Sequence, residues 1–313
     1  MQTNLPSTFF TAPPEFGWII ILYFFIGGIG GGSLLLAGLL RLFGIPADRP
    51  YIRLASFLAV VCAGISAVLL IADLSSPLRF WHMVIQDHTL LPMFKWWSAM
   101  SDGVWILLAF SLFAGTATID ALQDIEWPPM RTLRSLLRVV RFISRPPFAT
   151  ISAIGGIVSG LSLAGYTGVL LAETNRPIWS DSSWLGIVFL MSALSTSMAA
   201  VMLLSHWRRV HETSTLEWLT RFDLVAMVLE LVAIVCFVIS LGNAAQALYN
   251  VWGVALVLGV MVVGIVVPLV LQRRSNHGIV LPASLVLAGG LLLRAVVLLG
   301  SERIHVVGTQ VVR

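Results

Sequence analysis

The sequence predicts an all-α protein that crosses a membrane eight times. Of its 313 residues, 58% are apolar and 11% are charged, against about 25% charged residues in an ordinary soluble domain. Apolar runs of the length that crosses about 30 Å of hydrocarbon recur along the chain. They lack the alternation of membrane strands, so their backbone groups must be satisfied within helices. This composition excludes a soluble enzyme, a disordered protein and a nucleic-acid-binding protein.

The spans define one membrane domain over residues 1–313. The glycine pairs Gly155-Gly156 and Gly289-Gly290 suggest weak internal repetition. They divide the domain into a first half, 1–172, and a second half, 184–300, which we expect to pack as two four-helix bundles. The predicted spans are 17–43, 54–73, 97–119, 150–172, 184–205, 222–241, 250–271 and 279–300.

Basic residues alternate between the two ends of these spans. Thirteen of the 19 lysines and arginines follow the first, third, fifth or seventh span. The positive-inside rule assigns those ends to the cytoplasm and both termini to the outside. The thirteen are Arg41, Arg49, Arg53, Arg131, Arg134, Arg138, Arg141, Arg145, Arg208, Arg209, Arg221, Arg273 and Arg274.

The longest predicted cytoplasmic loop, residues 120–147, holds five of these arginines at three- and four-residue spacing. That spacing lines one face of a helix, so the loop is predicted to lie as a short amphipathic helix on anionic headgroups. The alternative is a solvated basic loop that only sets topology. Neither interpretation requires a nucleic-acid partner.

The first span contains a run of glycines, from Gly27 to Gly32, followed by Ser33. A dinucleotide fingerprint needs a strand before its glycines and a helix after them, whereas these residues lie inside one apolar helix. Close packing of neighbouring helices is the favoured interpretation. Close approach of a bound ring is the alternative.

The cysteines and histidines predict neither a metal site nor a haem. Cys62 and Cys236 lie in separate apolar runs without a C-x-x-C spacing, so they offer no disulfide framework or zinc site. Membrane cytochromes b take axial histidines from within their spans, and none of the six histidines lies in the interior of a predicted span. We therefore expect the chain to bind no metal of its own.

Polar residues gather at the predicted outer end of the second and third spans. Asp73 ends the second span, Arg79 and His82 follow it, and Asp102 lies inside the third. Ionisable residues at membrane depth are costly and tend to mark function, so both aspartates are candidate catalytic residues. The alternative for Asp73 is a helix-terminal carboxylate paired with Arg79. The neighbouring tryptophans fit an interfacial belt.

The fourth span brings a tyrosine and a carboxylate to the same outer end. Tyr166 and Glu173 are seven residues apart, so they share a helix face and lie about 10 Å apart along it. A phenolic hydroxyl flanked by Gly165 and Gly168 suits hydrogen bonding to a quinone carbonyl. An interfacial tyrosine would give the same pattern.

Two further charges fall inside the second half, Glu230 in the sixth span and Arg294 in the eighth. At 1.5 Å per residue they lie about 12 Å and about 22 Å from the inner face, so separate partners are favoured over a direct ion pair. Arg294 is predicted to reach outward by snorkelling. Glu230 has no such exit and is a candidate proton-handling residue, or else a neutral hydrogen-bonded acid.

Eight spans with intramembrane charges also fit a proton- or ion-coupled transporter that uses Glu230 and Arg294. On physical grounds alone, this alternative and a quinone-linked subunit are equally consistent with the sequence. Transport of a substrate by the isolated chain would distinguish them.

Several motifs, in order along nearly the whole chain, resemble the NrfD/polysulfide-reductase membrane-subunit family. The resemblance rests on a D-L-x-x-P-x-R-F stretch, on Tyr-Thr-Gly followed by Arg-Pro-x-Trp, and on Gly-Gly-x-x-x-Arg in the eighth span. These motifs comprise Asp73, Leu74, Pro77, Arg79, Phe80; Tyr166, Thr167, Gly168, Arg176, Pro177, Trp179; and Gly289, Gly290, Arg294.

The resemblance implies a haem-free subunit of a prokaryotic cytoplasmic (inner) membrane that exchanges electrons with menaquinone or ubiquinone. It also implies a ferredoxin-like four-cluster iron–sulfur subunit as partner, often joined to a molybdopterin oxidoreductase and docked on the outer, periplasmic face. The chain itself would carry no redox centre and would be inert alone.

The resemblance further implies roles for individual residues. Tyr166 matches the family tyrosine that contacts quinone, and the expected quinone-binding set is Tyr23, Arg79, His82 and Tyr166. Tyr23 is included because the first helix lacks the Asn and His that the polysulfide-reductase branch uses there. The expected catalytic, proton-handling set is Asp73, Asp102, Glu173 and Glu230.

Overall fold

A computed structural model describes residues 16–86, 89–122, 145–174, 178–210, 213–242, 245, 248–273 and 278–302. Eight of its helices are long and apolar enough to cross a membrane, which confirms the all-α multi-pass class. These are α1 (Trp18–Phe43), α2 (Arg49–Asp73), α3 (Ala99–Leu122), α4 (Phe148–Ala172), α5 (Trp184–Trp207), α6 (Thr213–Ser240), α7 (Val251–Arg273) and α8 (Val280–Glu302).

The start of α6 differs most from the sequence prediction. This helix begins at Thr213 rather than at 222. The sequence prediction placed its start too late because the first turns carry Glu217 and Arg221, an exposed pair one turn apart, which interrupt the apolar run. Charged residues end an apolar run but leave helix geometry intact. For the same reason α2 begins at Arg49 rather than at 54.

Contacts between helix ends define two sides of the bundle. Arg41 at the end of α1 forms an ion pair with Asp120 near the end of α3, and Thr215 of α6 donates to Asp48, next to α2, at 2.5 Å. We call this the basic side, and the opposite one the site side. The described arginines of the basic side are Arg41, Arg49, Arg53, Arg145, Arg208, Arg209, Arg221 and Arg273.

Helix α1 lies at the centre and contacts α2, α4, α5 and α8. Its glycines make this possible, because a Cβ at Gly31 would lie 2.6 Å from the carbonyl oxygen of Gly160 in α4. A Cβ at Gly28 would lie 2.8 Å from the guanidinium of Arg294 in α8. The glycine run is therefore a helix-packing surface, as favoured from the sequence.

Helix contacts run along the chain order in each half and also join the halves. Helices α2, α3 and α4 contact in sequence, as do α5 with α6 and α7 with α8, while α5 also contacts α1, α4 and α8. Buried Trp179, after α4, donates its indole N–H to the carbonyl of Val297 in α8 at 2.8 Å and stacks on Phe16. The division into two four-helix bundles stays a prediction.

Helix α7 departs from regular geometry, because Ala255–Val266 winds as a π-helix. Within it Gly264 lies against Gly289 of α8, where an added Cβ would approach the facing backbone to 2.6 Å. Gly289 of the glycine pair singled out in the sequence thus marks close contact between the last two helices, whereas a Cβ at Gly290 would meet Thr196 of α5.

Some sequence predictions fall outside the described residues. The amphipathic helix expected within 120–147 lies almost wholly in the undescribed range 123–144. The described residues also leave out two residues of the family motif, Arg176 and Pro177. They leave out four of the histidines as well, namely His88, His211, His277 and His305.

Replacing Gly31 by Ala tests the close packing of α1 and α4. The added methyl group has only the Gly160 carbonyl and Ala164 to displace, so we expect a loss of about 1–3 kcal/mol from overpacking. The midpoint of thermal unfolding in mild detergent should fall. Gly64→Ala is the control, because its Cβ would meet nothing within 4 Å and alanine favours helix. Equal midpoints for the two variants would contradict the packing account.

Candidate functional site

Tyr166 lies near the end of α4 and points at the start of α3. Its hydroxyl donates to the carbonyl of Ala99 at 2.6 Å, and its side chain is buried. The phenol fills the space over Gly103, where any Cβ would collide with it. The ring is therefore held in place, while its oxygen keeps lone pairs that can accept a hydrogen bond.

Asp102 lies in the first turn of α3, three residues beyond Ala99. The sequence places it inside a span, whereas the structure places it at a helix N-terminus, where the helix dipole stabilises a carboxylate. Its Oδ1 is buried and has no hydrogen-bond partner among the residues that the structure describes. A buried acceptor of this kind costs stability unless something donates to it, so Asp102 is suited to receive a donor from a bound molecule.

Two more of the sequence-derived candidates surround Tyr166. Tyr23 of α1 and Glu173 at the end of α4 lie, with Asp102, close enough to interact electrostatically with its phenol. Tyr23 is buried, whereas Glu173 is exposed. We call Tyr23, Asp102, Tyr166 and Glu173 the tyrosine–carboxylate cluster.

The remaining outer candidates lie on the same side of the bundle but outside this cluster. Asp73 ends α2 and is exposed, and Arg79 is exposed in a short 3-10 helix over Pro77–Met83. His82 stacks on Trp81, with ring centroids 3.8 Å apart. Within the described ranges no ion pair joins Asp73 to Arg79, so the pairing proposed as the alternative for Asp73 is wrong.

The segment between α2 and α3 exposes large apolar side chains. Leu78 is 91% exposed and Trp96 is 74% exposed. The segment is tied to α3 because the indole N–H of Trp105 donates to the carbonyl of Met93 at 3.1 Å. These side chains suit either a membrane interface or contact with another protein.

A second polar group lies inside the helices, around Arg294. This arginine is 0% exposed, so the predicted snorkelling to the outer end is wrong. Its guanidinium donates to the carbonyls of Phe24 in α1 at 3.2 Å and Gly290 in α8 at 2.7 Å, and to the hydroxyl of Ser192 in α5 at 3.1 Å. The ring of Phe189 faces it at 5.5 Å.

Ser192 lies between Arg294 and Glu230, because it accepts from Arg294 and is close enough to the Glu230 carboxyl to interact with it. No ion pair joins the two charged groups in the described part of the chain, as the sequence analysis favours. The depth argument behind that expectation is wrong, since α6 begins at Thr213 and α8 at Val280. Counted from these starts, Glu230 lies about 25 Å and Arg294 about 21 Å along their helices.

Asp223 is a buried carboxylate that the sequence analysis did not select. It is 0% exposed and accepts from the hydroxyl of Ser195 in α5 at 2.9 Å and from the side-chain amide of Gln272 in α7 at 2.8 Å. The run of small polar residues in α5 from Ser192 to Ser197 is the sequence feature that could have indicated a buried polar partner such as Asp223. We call Gln272, Asp223, Ser195, Glu230, Ser192 and Arg294 the buried polar network.

The described residues contain no group of three or more His, Cys, Asp or Glu side chains that could hold a metal ion. The polar groups of the tyrosine–carboxylate cluster are instead phenols and carboxylates. Such groups exchange protons and hydrogen bonds with hydroxyl or carbonyl groups.

The eight spans, the tyrosine–carboxylate cluster and the buried polar network define a multi-pass integral membrane protein with ionisable groups at two levels. The family model described as "Polysulphide reductase, NrfD" matches residues 7–305, so the chain belongs to the NrfD polysulphide reductase family.

Three relatives match most of the chain. A protein NrfD homolog of Haemophilus influenzae is 26% identical over 88% of this chain and 88% of its own. One of the chains of the polysulfide reductase of Wolinella succinogenes is 24% identical over 91% of this chain and 93% of its own. Protein NrfD of Escherichia coli is 25% identical over 90% of this chain and 91% of its own.

Replacing Ser195 by Ala tests the buried polar network. The change leaves the Asp223 carboxylate with one donor fewer in a fully buried position, which costs about 1–3 kcal/mol. We expect a lower midpoint of thermal unfolding in detergent. Ser284→Ala serves as the control, because this exposed serine bonds only its own helix in the described structure. A Ser195 variant as stable as the control would contradict the role assigned to this bond.

Proposed function

We propose that this chain is the membrane subunit of a quinone-linked reductase complex and that it exchanges electrons between quinol and an iron–sulfur subunit. One observation carries the proposal. The fixed hydroxyl of Tyr166 donates to Ala99, and the buried, unbonded Oδ1 of Asp102 lies one turn further along α3. Menaquinone or ubiquinone is the substrate class.

The two groups divide the proton chemistry between them. Oxidation of a quinol to a quinone releases two electrons and two protons. Because the Tyr166 hydroxyl already donates to a backbone carbonyl, its oxygen is set to accept from one quinol hydroxyl. The Asp102 carboxylate accepts from the other and takes its proton as general base. Once that proton has moved on toward Glu173, the same carboxylate takes the second one, because Tyr166 keeps its own proton and accepts only a hydrogen bond. Reduction of quinone follows the same contacts in reverse.

The protons need a route from the buried groups to the aqueous side. Glu173 is exposed at the end of the same helix, about two turns beyond Tyr166, so it is the first carboxylate on that route. Asp73 and His82 lie on the same side of the bundle and are proposed as further groups on this route. Tyr23 closes the cluster from α1. Arg79 lies outside the cluster on the same side of the bundle, and its proposed role is to supply positive charge for an anionic quinone form.

The electrons leave through a partner protein, because this chain carries neither haem nor metal under the proposal. The exposed apolar side chains between α2 and α3 are the proposed docking surface, and a four-cluster ferredoxin-like subunit is the proposed partner. A molybdopterin oxidoreductase would complete the complex. The proposed setting is a prokaryotic cytoplasmic membrane with this surface outside, in accord with the arginines of the basic side.

A second function, proton coupling, is favoured by the buried polar network. Gln272 and Asp223 lie toward the basic side, and Ser195, Glu230, Ser192 and Arg294 continue toward the centre of the bundle. Ionisable groups inside a membrane tend to mark ion or proton paths. Membership of a reductase family favours coupling to quinone turnover over an independent transporter.

Tyr166→Phe tests the quinone site in the assembled complex. The change removes the phenolic oxygen while keeping the ring over Gly103, so we expect quinol-linked turnover to fall at least about tenfold. Sensitivity to quinone-site inhibitors should fall with it. Tyr249→Phe is the matched control, because this tyrosine is 85% exposed on the same side. Unchanged turnover with unchanged inhibitor sensitivity would count against the site.

Glu230→Gln tests proton coupling separately. Glutamine keeps the size and hydrogen-bonding capacity of the side chain but does not exchange a proton, so we expect fewer protons released per electron with quinol oxidation retained. Glu217→Gln in the exposed first part of α6 is the control. An identical proton-to-electron ratio in wild type and Glu230→Gln would exclude coupling through this residue. Substrate flux through the isolated chain in liposomes would favour the transporter.

A further inference from the structure

Arg294 lies between the two polar regions and bonds to residues beside each of them. Its Nε donates to the carbonyl of Phe24 at 3.2 Å, and Phe24 directly follows Tyr23 of the tyrosine–carboxylate cluster. Its Nη1 donates to Ser192 at 3.1 Å, and this serine is close enough to the Glu230 carboxyl to interact with it. One guanidinium therefore separates the proposed quinol site from the buried carboxyl group of α6.

The contact between this guanidinium and α1 is close. A Cβ at Gly28 would lie 2.8 Å from Nη2 of Arg294, so any side chain at that position would displace the guanidinium from the α1 backbone. The rings of Phe25 in α1 and Phe189 in α5 lie 5.7 and 5.5 Å from its central carbon, which is within the range of a cation–π interaction. The position of Arg294 is therefore tied to the segment of α1 that carries Tyr23.

Glu230 acts on the same guanidinium through its charge. The two groups are close enough to interact electrostatically, and both are buried. Attraction between opposite charges is stronger in an apolar interior than in water, so an ionised Glu230 attracts the guanidinium and a protonated one does not. Asp223 is the other carboxylate that acts on Glu230, and it is bonded to Ser195 and Gln272.

The guanidinium has a nitrogen on which this attraction can act. Nη2 of Arg294 is buried and has no hydrogen-bond partner in the described part of the chain, and a buried donor without an acceptor costs stability. A charge-assisted bond to a carboxylate removes that cost. Because a guanidinium is planar and rigid, movement of Nη2 toward Glu230 also moves Nε and changes its bond to Phe24.

We propose that Arg294 is a positioning residue that couples the protonation state of Glu230 to the quinol site through α1. When Glu230 is protonated, the guanidinium holds the carbonyl of Phe24, and Tyr23 stays in place. When Glu230 is ionised, the guanidinium moves toward it and the α1 segment with Tyr23 shifts. Coupling of this kind is reciprocal, so quinol binding also changes proton binding by Glu230. The inference rests on the proposed function.

Fluorine NMR of the purified full chain tests the coupling without turnover. The chain has four tyrosines, so incorporated fluorotyrosine gives four signals that Tyr→Phe variants assign. We expect the Tyr23 signal to move as the pH is raised from about 5 to about 9, a range in which buried carboxyl groups ionise. Glu230→Gln cannot ionise and should abolish most of this movement. Glu217→Gln removes an exposed charge from the same helix and should leave the movement as in wild type.

Two further variants test whether Arg294 carries the effect. Arg294→Lys keeps the charge but removes the planar group that bonds α1, α5 and α8 together. Gly28→Ala keeps Arg294 and moves its guanidinium off α1, and it meets the end of a flexible side chain first. In both backgrounds, adding Glu230→Gln should leave the pH response of Tyr23 unchanged. Monodisperse elution and an unchanged helical spectrum check folding. A Glu230→Gln effect that persists in both backgrounds would show a direct field and overturn the role of Arg294.

Binding of a hydroxyquinoline N-oxide, a quinol analogue, to the assembled complex tests the link to the quinol site. At high pH we expect its Kd to fall about fivefold in Glu230→Gln, since coupling between sites is typically about 5–150-fold. In the Arg294→Lys background Glu230→Gln should not change the Kd. Equal Kd values for wild type and Glu230→Gln would overturn the coupling while leaving the quinol site intact. An analogue that does not bind the wild-type complex would refute the quinol site itself and the coupling with it.

Discussion

The structure depends on one constraint, which is that polar groups inside an apolar bundle must find their partners within it. Arg294 shows this at two of its three nitrogens, because Nε and Nη1 of the buried guanidinium donate to α1, α5 and α8 together, while Nη2 has no partner among the described residues. Burying a charge without such bonds would cost far more than a membrane helix gains by packing. The absence of a side chain at Gly28 provides the space, so the glycine run of α1 and the arginine of α8 belong to one arrangement.

The same constraint gives the two polar regions different properties. The buried polar network satisfies most of its groups with one another, as Asp223 does with Ser195 and Gln272, which suits a fixed path for protons. The tyrosine–carboxylate cluster retains a carboxylate oxygen that is buried without a donor among the described residues. A group of that kind is stabilised when a hydroxyl compound binds. The buried polar network also keeps unpartnered atoms among the described residues, Gln272 Oε1 and Arg294 Nη2, so the two regions differ in depth and in composition rather than in complete satisfaction.

Composition and charge pattern were sufficient for the fold class and the number of spans, because hydrocarbon thickness and backbone hydrogen bonding leave few alternatives. The start of α6 was predicted nine residues too late, since Glu217 and Arg221 interrupt the apolar run but not the helix. The late start gave Glu230 the wrong depth and left Asp223 at the boundary of the predicted span. Spacing on one helix predicted that Tyr166 and Glu173 lie near each other. The bond from Tyr166 to Ala99, 67 residues apart in sequence, depends on how α3 and α4 pack, which no local pattern contains.

Photolabelling with an azido-substituted quinone tests the central claim most directly, because it reports position without requiring turnover. The complex is labelled in its membrane, and the modified peptides are identified with and without excess unlabelled quinol. The account predicts competed label on the start of α3, around Ala99 and Gly103, and on the end of α4, around Tyr166. Competed label confined to α6, α7 or α8, with none on α3 or α4, would contradict it.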